Sequence, residues 1–135
     1  YSISDQSRNR GMIKIVISFV VMVGGFVMST TQAAVTDTGV RVPFKEAVGV
    51  RLFKKNCSVC HGEWAKGTDK GPPLIHDFYK PSHHGDGAFY SAAMKGVKAH
   101  HWKFGDMPPV AGIQQRDVSK IISYVRWLQQ ANKLY

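Results

Sequence analysis

The sequence predicts an all-α fold in which three to four helices surround a single central site. One observation is an apolar stripe near the C-terminus, at the steps of three and four that one face of a helix requires: Val118, Ile121, Ile122, Val125 and Leu128. Another is a helical pattern that begins near Pro43 and stops just before the chain's two cysteines. We expect these N- and C-terminal helices to cross.

The only cysteines of the chain, Cys57 and Cys60, are followed directly by His61. Cys-x-x-Cys-His is the attachment signature of c-type haem, in which each thiol adds to a vinyl group and the imidazole ligates iron. Redox dithiols, half zinc sites and short disulfides share the cysteine spacing. The sequence lacks both a βαβ pattern and a second cysteine pair, so we expect one covalently bound haem among the helices.

Length and charge allow one domain plus a leader. The chain has 135 residues and carries 18 Lys and Arg against 9 Asp and Glu, a formal charge of +9. Such a balance favours acidic partners. An Arg-rich helix and a basic aromatic platform are both missing from the sequence, so nucleic acid is not an expected partner.

The N-terminal segment resembles a secretory signal peptide. A start near Met12 is followed by Lys14, an apolar run over residues 15–28 and small residues before Ala33. We expect residues 1–33 to comprise an upstream extension plus this signal peptide, and residues 34–135 to form the monohaem domain in the periplasm. Cleavage after Ala34 is the alternative. The apolar run is shorter than the roughly 20 residues that span a bilayer, and an uncleaved anchor remains the other interpretation.

The first helix of the domain should run from near Pro43 to about Lys55, after a loose arm over residues 35–42. Gly49 lies inside it, where glycine costs about 1 kcal/mol relative to alanine. Such a glycine is either tolerated or marks the close approach of another backbone. We expect the second case, with a C-terminal helix over about residues 115–131 crossing there.

With these residues the chain resembles a class I c-type cytochrome, a small bacterial monohaem electron carrier. Gly49 and Phe53 precede Cys57 by eight and four positions, as in that family's N-terminal helix. Ile121 and Tyr124 match its C-terminal partners, and we expect Phe53 to pack near them.

The resemblance also implies roles for the segment Gly71-Pro72-Pro73-Leu74. A ligating histidine needs its second ring nitrogen held by an acceptor. The family's pattern implies that the carbonyl of Pro72 holds His61 and that Leu74 covers the haem face. An ordinary proline-rich turn is the alternative interpretation.

The resemblance implies that Met107, followed by Pro108 and Pro109, is the sixth iron ligand. A neutral thioether favours Fe(II) and raises the reduction potential relative to a second histidine. Packing of Met107 in a loop, with another residue on the iron, is the alternative. Met94 is instead expected in the core, on a middle helix over about residues 87–97 that Asp86 caps and that also buries Phe89 and Ala93.

Five histidines compete for the sixth position: His76, His83, His84, His100 and His101. Adjacent residues on an extended segment face opposite ways, so at most one of each pair should reach a common point. Solvated loops, partner docking, pH-sensitive charge and copper or zinc binding are the interpretations left open.

We therefore expect a periplasmic one-electron carrier rather than an enzyme, monomeric and without a membrane span after cleavage, with His61 and Met107 as axial ligands of haem c. Its partners should be redox proteins with acidic docking surfaces. Either Trp64 or Trp102 could bond a haem propionate. Seven lysines surround the haem-contact segments in sequence, either scattered or ringing the haem edge: Lys54, Lys55, Lys66, Lys70, Lys95, Lys98 and Lys103.

Two alternatives come from other functional classes. One is a dedicated cytochrome subunit of a larger oxidoreductase. The other is a haem sensor or peroxidatic protein with a labile sixth ligand.

Overall fold

The computed structural model describes residue 39 and residues 41–135, and the predicted signal peptide lies outside them. The described residues form four α-helices: α1 (Ala47–Asn56), α2 (Ser58–His61), α3 (Asp86–Lys95) and α4 (Gln115–Ala131). They also form two 3-10 helices, Phe44–Glu46 and Asp77–Tyr79, and no strand. The predicted all-α fold is confirmed. None of the described helices combines the length and apolar character needed to cross a membrane.

Helices α1 and α4 pack against each other, as predicted, and Gly49 lies at their contact. A Cβ atom at Gly49 would lie 2.8 Å from the Cβ of Tyr124 and would overlap the carbonyl oxygen of Lys120. Beside it the rings of Phe53 and Tyr124 meet edge to face, with centroids 5.5 Å apart. The glycine therefore serves the close approach of the α4 backbone.

The C-terminal stripe forms much of the core. All five of its predicted residues are buried, and Phe53 and Tyr124 are fully so. Two apolar residues expected on the first helix are exposed to solvent, and an acidic residue between them is buried. Phe44 is 93% exposed and Val48 is also exposed, whereas the carboxylate of Glu46 is buried and accepts a hydrogen bond from Ser123 Oγ at 2.8 Å.

The predicted loose arm is wrong at its last residue. Val42 is buried in the core cluster, because an apolar side chain that directly precedes the first helix can pack under it. The first helical turn after Pro43 is 3-10 rather than α, and α1 itself begins at Ala47.

The middle helix differs from its prediction in two respects. Asp86 does not cap α3, since Gly85 holds the N-cap position and the Asp86 carboxylate instead pairs with Arg126. Met94 is exposed rather than in the core, because only Phe89 and Ala93 of the three expected residues face inward and become half-buried. The helix ends at Lys95, followed by Gly96 with a φ of +78°.

Candidate functional site

Helix α2 is a single turn that places the two thiols and the imidazole together. It continues from α1 through Cys57, whose carbonyl accepts the amide of His61 at 2.9 Å. Cys57 and Cys60 stand three positions apart, and residues at that spacing share one side of a helical turn. Both thiols are half-buried. Burial, helped by the neighbouring Cys60, raises the pKa of Cys57 to about 12, so this thiol stays protonated at neutral pH.

His61 is buried and its ring is held by the proline-rich loop. Its Nδ1 lies 2.9 Å from the carbonyl oxygen of Pro72, which accepts the Nδ1 proton. Burial lowers the pKa of His61, and the bond to Pro72 opposes that shift only in part. The ring is therefore neutral, with Nε2 left as a ligand atom.

Leu74 and Met107 are each fixed by backbone hydrogen bonds. Leu74 is buried, and its amide donates to the carbonyl of Ala65 at 2.8 Å. Met107 pairs with Val97 through two backbone hydrogen bonds of 2.9 Å, an isolated antiparallel bridge. Gly96 makes this bridge feasible, because a Cβ there would lie 2.6 Å from the carbonyl oxygen of Met107.

One cavity of about 630 Å³ brings the predicted residues together. Its size falls in the range of roughly 300–1,000 Å³ that is usual for small-molecule and cofactor sites. Most of its wall is apolar, from α3, α4 and the loop after α3. All six predicted site residues line it: Cys57, Cys60, His61, Pro72, Leu74 and Met107.

A scan against protein-family models matches residues 47–129 to the family described as Cytochrome c. The match spans most of the chain and includes α1, the Cys-x-x-Cys-His segment and most of α4. The chain belongs to the cytochrome c family. No curated protein and no solved structure gives a significant match.

Members of this family bind haem c covalently and transfer electrons through its iron. The residues of this cytochrome fit that group. Two thiols, a neutral buried imidazole and a thioether line one apolar cavity, which is the donor set that a c-type haem uses.

The two candidate tryptophans of this cytochrome differ in position. Trp102 lines the cavity. Trp64 instead packs against Lys54, whose Nζ lies 5.7 Å from the centroid of the Trp64 ring. Nε1 of Trp102 is buried without a hydrogen-bond partner among the described residues. Burial raises the pKa of the nearby Tyr79 hydroxyl. The indole of Trp102 opposes that rise but does not reverse it. A haem propionate at this wall of the cavity would supply a hydrogen-bond acceptor for the indole.

We expected at most one histidine of each adjacent pair to reach a common point. That prediction is wrong for His83 and His84. One ring nitrogen from each of His83, His84 and His101 lies within 4.8 Å of the others. The reason is local, since residues 81–83 form a turn rather than an extended segment. The amides of His83 and His84 both donate to the carbonyl of Lys80, at 2.9 and 2.8 Å. His84 and His101 line the cavity of this cytochrome as well.

Sequence reasoning missed Arg126, which joins α4 to the loop before α3. Its Nη1 and Nη2 donate to the carbonyls of Tyr79 and His84 at 2.7 and 2.6 Å, and its Nε donates to Asp86 at 2.8 Å. Gln129 is fully buried beside it and accepts a further hydrogen bond of 2.8 Å.

A signal for this pair was present in the sequence. Gln129 follows Val125 by four positions, so it extends the apolar stripe with a polar side chain. A buried amide must be hydrogen-bonded, and Gln129 Nε2 donates to the carbonyls of Leu74 and Tyr79 at 2.8 and 3.0 Å. The cavity wall at Leu74 is thus held by α4.

Proposed function

We propose that this cytochrome is a class I monohaem carrier that moves one electron at a time between partner proteins in the periplasm. The observation that carries the proposal is the convergence on one cavity of Cys57, Cys60 and His61 with Met107 from a distant loop. Haem c supplies the one-electron Fe(III)/Fe(II) couple. The chain contributes attachment, axial ligands and exclusion of water.

His61 would provide the first axial ligand through Nε2. Its neutral ring and the hydrogen bond from Nδ1 to Pro72 support this role, because such a bond fixes ring orientation and raises the basicity of the ligating nitrogen. Cys57 and Cys60 would hold the cofactor through two thioethers beside that ring. Leu74 would cover the face next to them with apolar surface.

Met107 would provide the second axial ligand. Its own amide and carbonyl are held by the bridge to Val97, and Pro108 and Pro109 stiffen the backbone after it. A thioether on such a stiff loop keeps its place in both oxidation states, so little reorganisation accompanies electron transfer. Its softness would also favour the reduced state and raise the potential.

We propose residues 34–135 as the mature domain, exported by the leader and active as a monomer. Its positive formal charge favours acidic docking surfaces on redox partners. Lys54 and Lys98 form ion pairs with Glu63 and Asp106, so their charges are partly compensated. Because salt screens the attraction between the remaining positive charges and an acidic partner, electron exchange should slow as ionic strength rises.

The test is a comparison of two methionine variants in the haem-loaded protein. Met107→Ala should abolish the Met-to-iron absorption band of the oxidised protein and lower the midpoint potential. Met94→Ala is the matched control, because this methionine is exposed on α3 and lies outside the cavity lining. It should leave both the band and the potential unchanged.

Several outcomes would contradict the proposal. An unchanged band and midpoint in Met107→Ala would assign the sixth position to another residue. A wild-type protein that lacks the band and binds peroxide or a diatomic gas would favour the sensor or peroxidatic alternative. Co-purification with other subunits at fixed stoichiometry would favour a dedicated subunit. Haem that is lost on acid-acetone extraction would contradict the thioethers at Cys57 and Cys60.

A further inference from the structure

Three histidines from two separate loops meet beside the cavity. Nε2 of His83 lies 3.3 Å from Nε2 of His101, and one nitrogen of His84 completes a triangle with no edge above 4.8 Å. This is the one group of three or more potential metal-ligating side chains found at such distances among residues 39 and 41–135. The cofactor role of the cavity does not use these three residues.

The 3.3 Å separation matches the edge of a tetrahedral metal site. Ligand nitrogens at about 2.0–2.1 Å from Zn²⁺ stand about 3.3–3.4 Å apart when the geometry is tetrahedral. A hydrogen bond between the two imidazoles would also account for that one distance. It does not account for the third imidazole, His84, one ring nitrogen of which lies within 4.8 Å of the other two.

Backbone contacts hold His84 and leave one of its ring nitrogens available. Its Nδ1 donates to the carbonyl of Phe78, and its own carbonyl accepts from Arg126 Nη2 at 2.6 Å. Metal-ligating histidines commonly donate their second ring N–H to a carbonyl in this way, which fixes the tautomer. Nε2 of His84 is then the nitrogen free to bind.

Phe78 organises the other histidines as well. The ring of His101 stacks on that of Phe78, with centroids 4.3 Å apart and planes 19° from parallel. The amide of Phe78 donates to Nδ1 of His76 at 3.2 Å, so neutral His76 carries its proton on Nε2. His76 therefore offers no free lone pair, and it serves as an internal control.

We propose that His83, His84 and His101 bind one divalent ion of the late first-row transition metals, Zn²⁺ or Cu²⁺, at the edge of the cavity. Three imidazoles without a carboxylate suit these ions and not Mg²⁺ or Ca²⁺, which require oxygen ligands. His83 is exposed and His84 and His101 are half-buried, so the ion reaches the site from solvent without opening the core. Cu²⁺ binds more tightly than Zn²⁺, following the general order for nitrogen ligands.

The test uses the haem-loaded protein without a polyhistidine tag. Equilibrium dialysis against ZnCl₂, followed by metal analysis, should give one Zn²⁺ per chain. His84→Asn keeps a donor for the Phe78 carbonyl while deleting the ligand, and His83→Gln removes a second, exposed ligand. Each should weaken Zn²⁺ binding about tenfold or more, since the loss of a single hydrogen-bonded supporting residue already costs about 10–100-fold.

His76→Asn is the matched control. It retains an acceptor for the Phe78 amide and should bind Zn²⁺ within about twofold of the wild type, since it removes no ligand. With CuCl₂, the electron paramagnetic resonance spectrum of the bound ion should show coupling to nitrogen, and Cu²⁺ should displace Zn²⁺. Absence of binding in the wild type, or equal binding in His84→Asn and His76→Asn, would overturn the site.

The zinc measurement does not depend on the assignment of the axial ligands. If Met107→Ala leaves the haem spectrum unchanged while Zn²⁺ still binds in a His84-dependent manner, the ligand assignment fails and the metal site stands. The reverse pattern leaves the electron carrier and removes the metal site.

Discussion

The carbonyl oxygen of Lys120 occupies the space in which Gly49 would carry a Cβ atom. The contact sets how closely α1 and α4 approach, and therefore where the Cys-x-x-Cys-His segment begins at the end of α1. Because the obstacle is backbone within a helix, it cannot move aside as a flexible side chain would. A single absent methyl group thus links helix packing to the position of the site.

We expect Gly49→Ala to destabilise the protein by about 1–2 kcal/mol, because a collision with helix backbone costs about 2–3 kcal/mol, the upper part of the usual range for overpacking, and the gain in helix propensity returns up to about 1 kcal/mol. Denaturant unfolding of the haem-loaded variant measures this. Gly87→Ala in α3 is the control, since nothing lies within 4 Å of a Cβ there. It should raise stability by up to about 1 kcal/mol. A Gly49→Ala variant as stable as wild type would refute the tight crossing.

A methyl group at Gly96 should loosen the loop that holds Met107. Gly96→Ala combines a φ of +78° with a Cβ 2.6 Å from the Met107 carbonyl oxygen, so the bridge to Val97 must open. We expect faster amide hydrogen exchange at Val97 and Met107, followed by nuclear magnetic resonance.

The control for this prediction is Gly112→Ala. Gly112 also has a positive φ, +71°, but nothing lies within 4 Å of its Cβ position. The Gly112→Ala variant therefore carries the backbone strain of about 1–2 kcal/mol without a collision at the new Cβ atom. Equal exchange at Met107 in the two variants would show that the Gly96 contact does not hold the loop.

The hydroxyl of Tyr124 is buried without a hydrogen-bond partner among the described residues, and burial raises its pKa above the ordinary value. An unpaired buried hydroxyl costs about 1–3 kcal/mol. Tyr124→Phe keeps the edge-to-face contact with Phe53 and should leave stability unchanged or raise it by up to about 1 kcal/mol. Denaturant unfolding measures the difference. A loss above about 1 kcal/mol would mean that the hydroxyl has a partner, such as a buried water.

The sequence predicts features that local chemistry determines and misses those that depend on distant backbone. The stripe of α4 and its bounds follow from helical periodicity. The close approach of another backbone at Gly49 follows from the presence of a glycine inside a helix, where it costs stability. The convergence of His83 with His84 is a local feature that the prediction missed, since Pro81 at the second position of the turn around the Lys80 carbonyl is a signal for that turn. Asp86 fits a capping role by sequence, but a long-range cation draws its carboxylate away.

Arg126 exemplifies that long-range class, because two of its four hydrogen-bond partners are backbone carbonyl oxygens, which any residue could supply. Arg126→Lys preserves the charge but cannot reproduce three donors in one plane, so the carbonyl of His84 loses the Arg126 bond and that of Tyr79 keeps only the bond from Gln129. We expect a loss of about 2–3 kcal/mol, since hydrogen bonds to charged groups contribute about 1.5–3 kcal/mol each. Arg116→Lys, at an exposed position of α4, should change stability by less than about 0.5 kcal/mol.

Because Arg126 also fixes the backbone of His84, Zn²⁺ affinity should fall in Arg126→Lys and not in Arg116→Lys. Equal stability of the two variants would contradict the role of Arg126 in joining α4 to the loop.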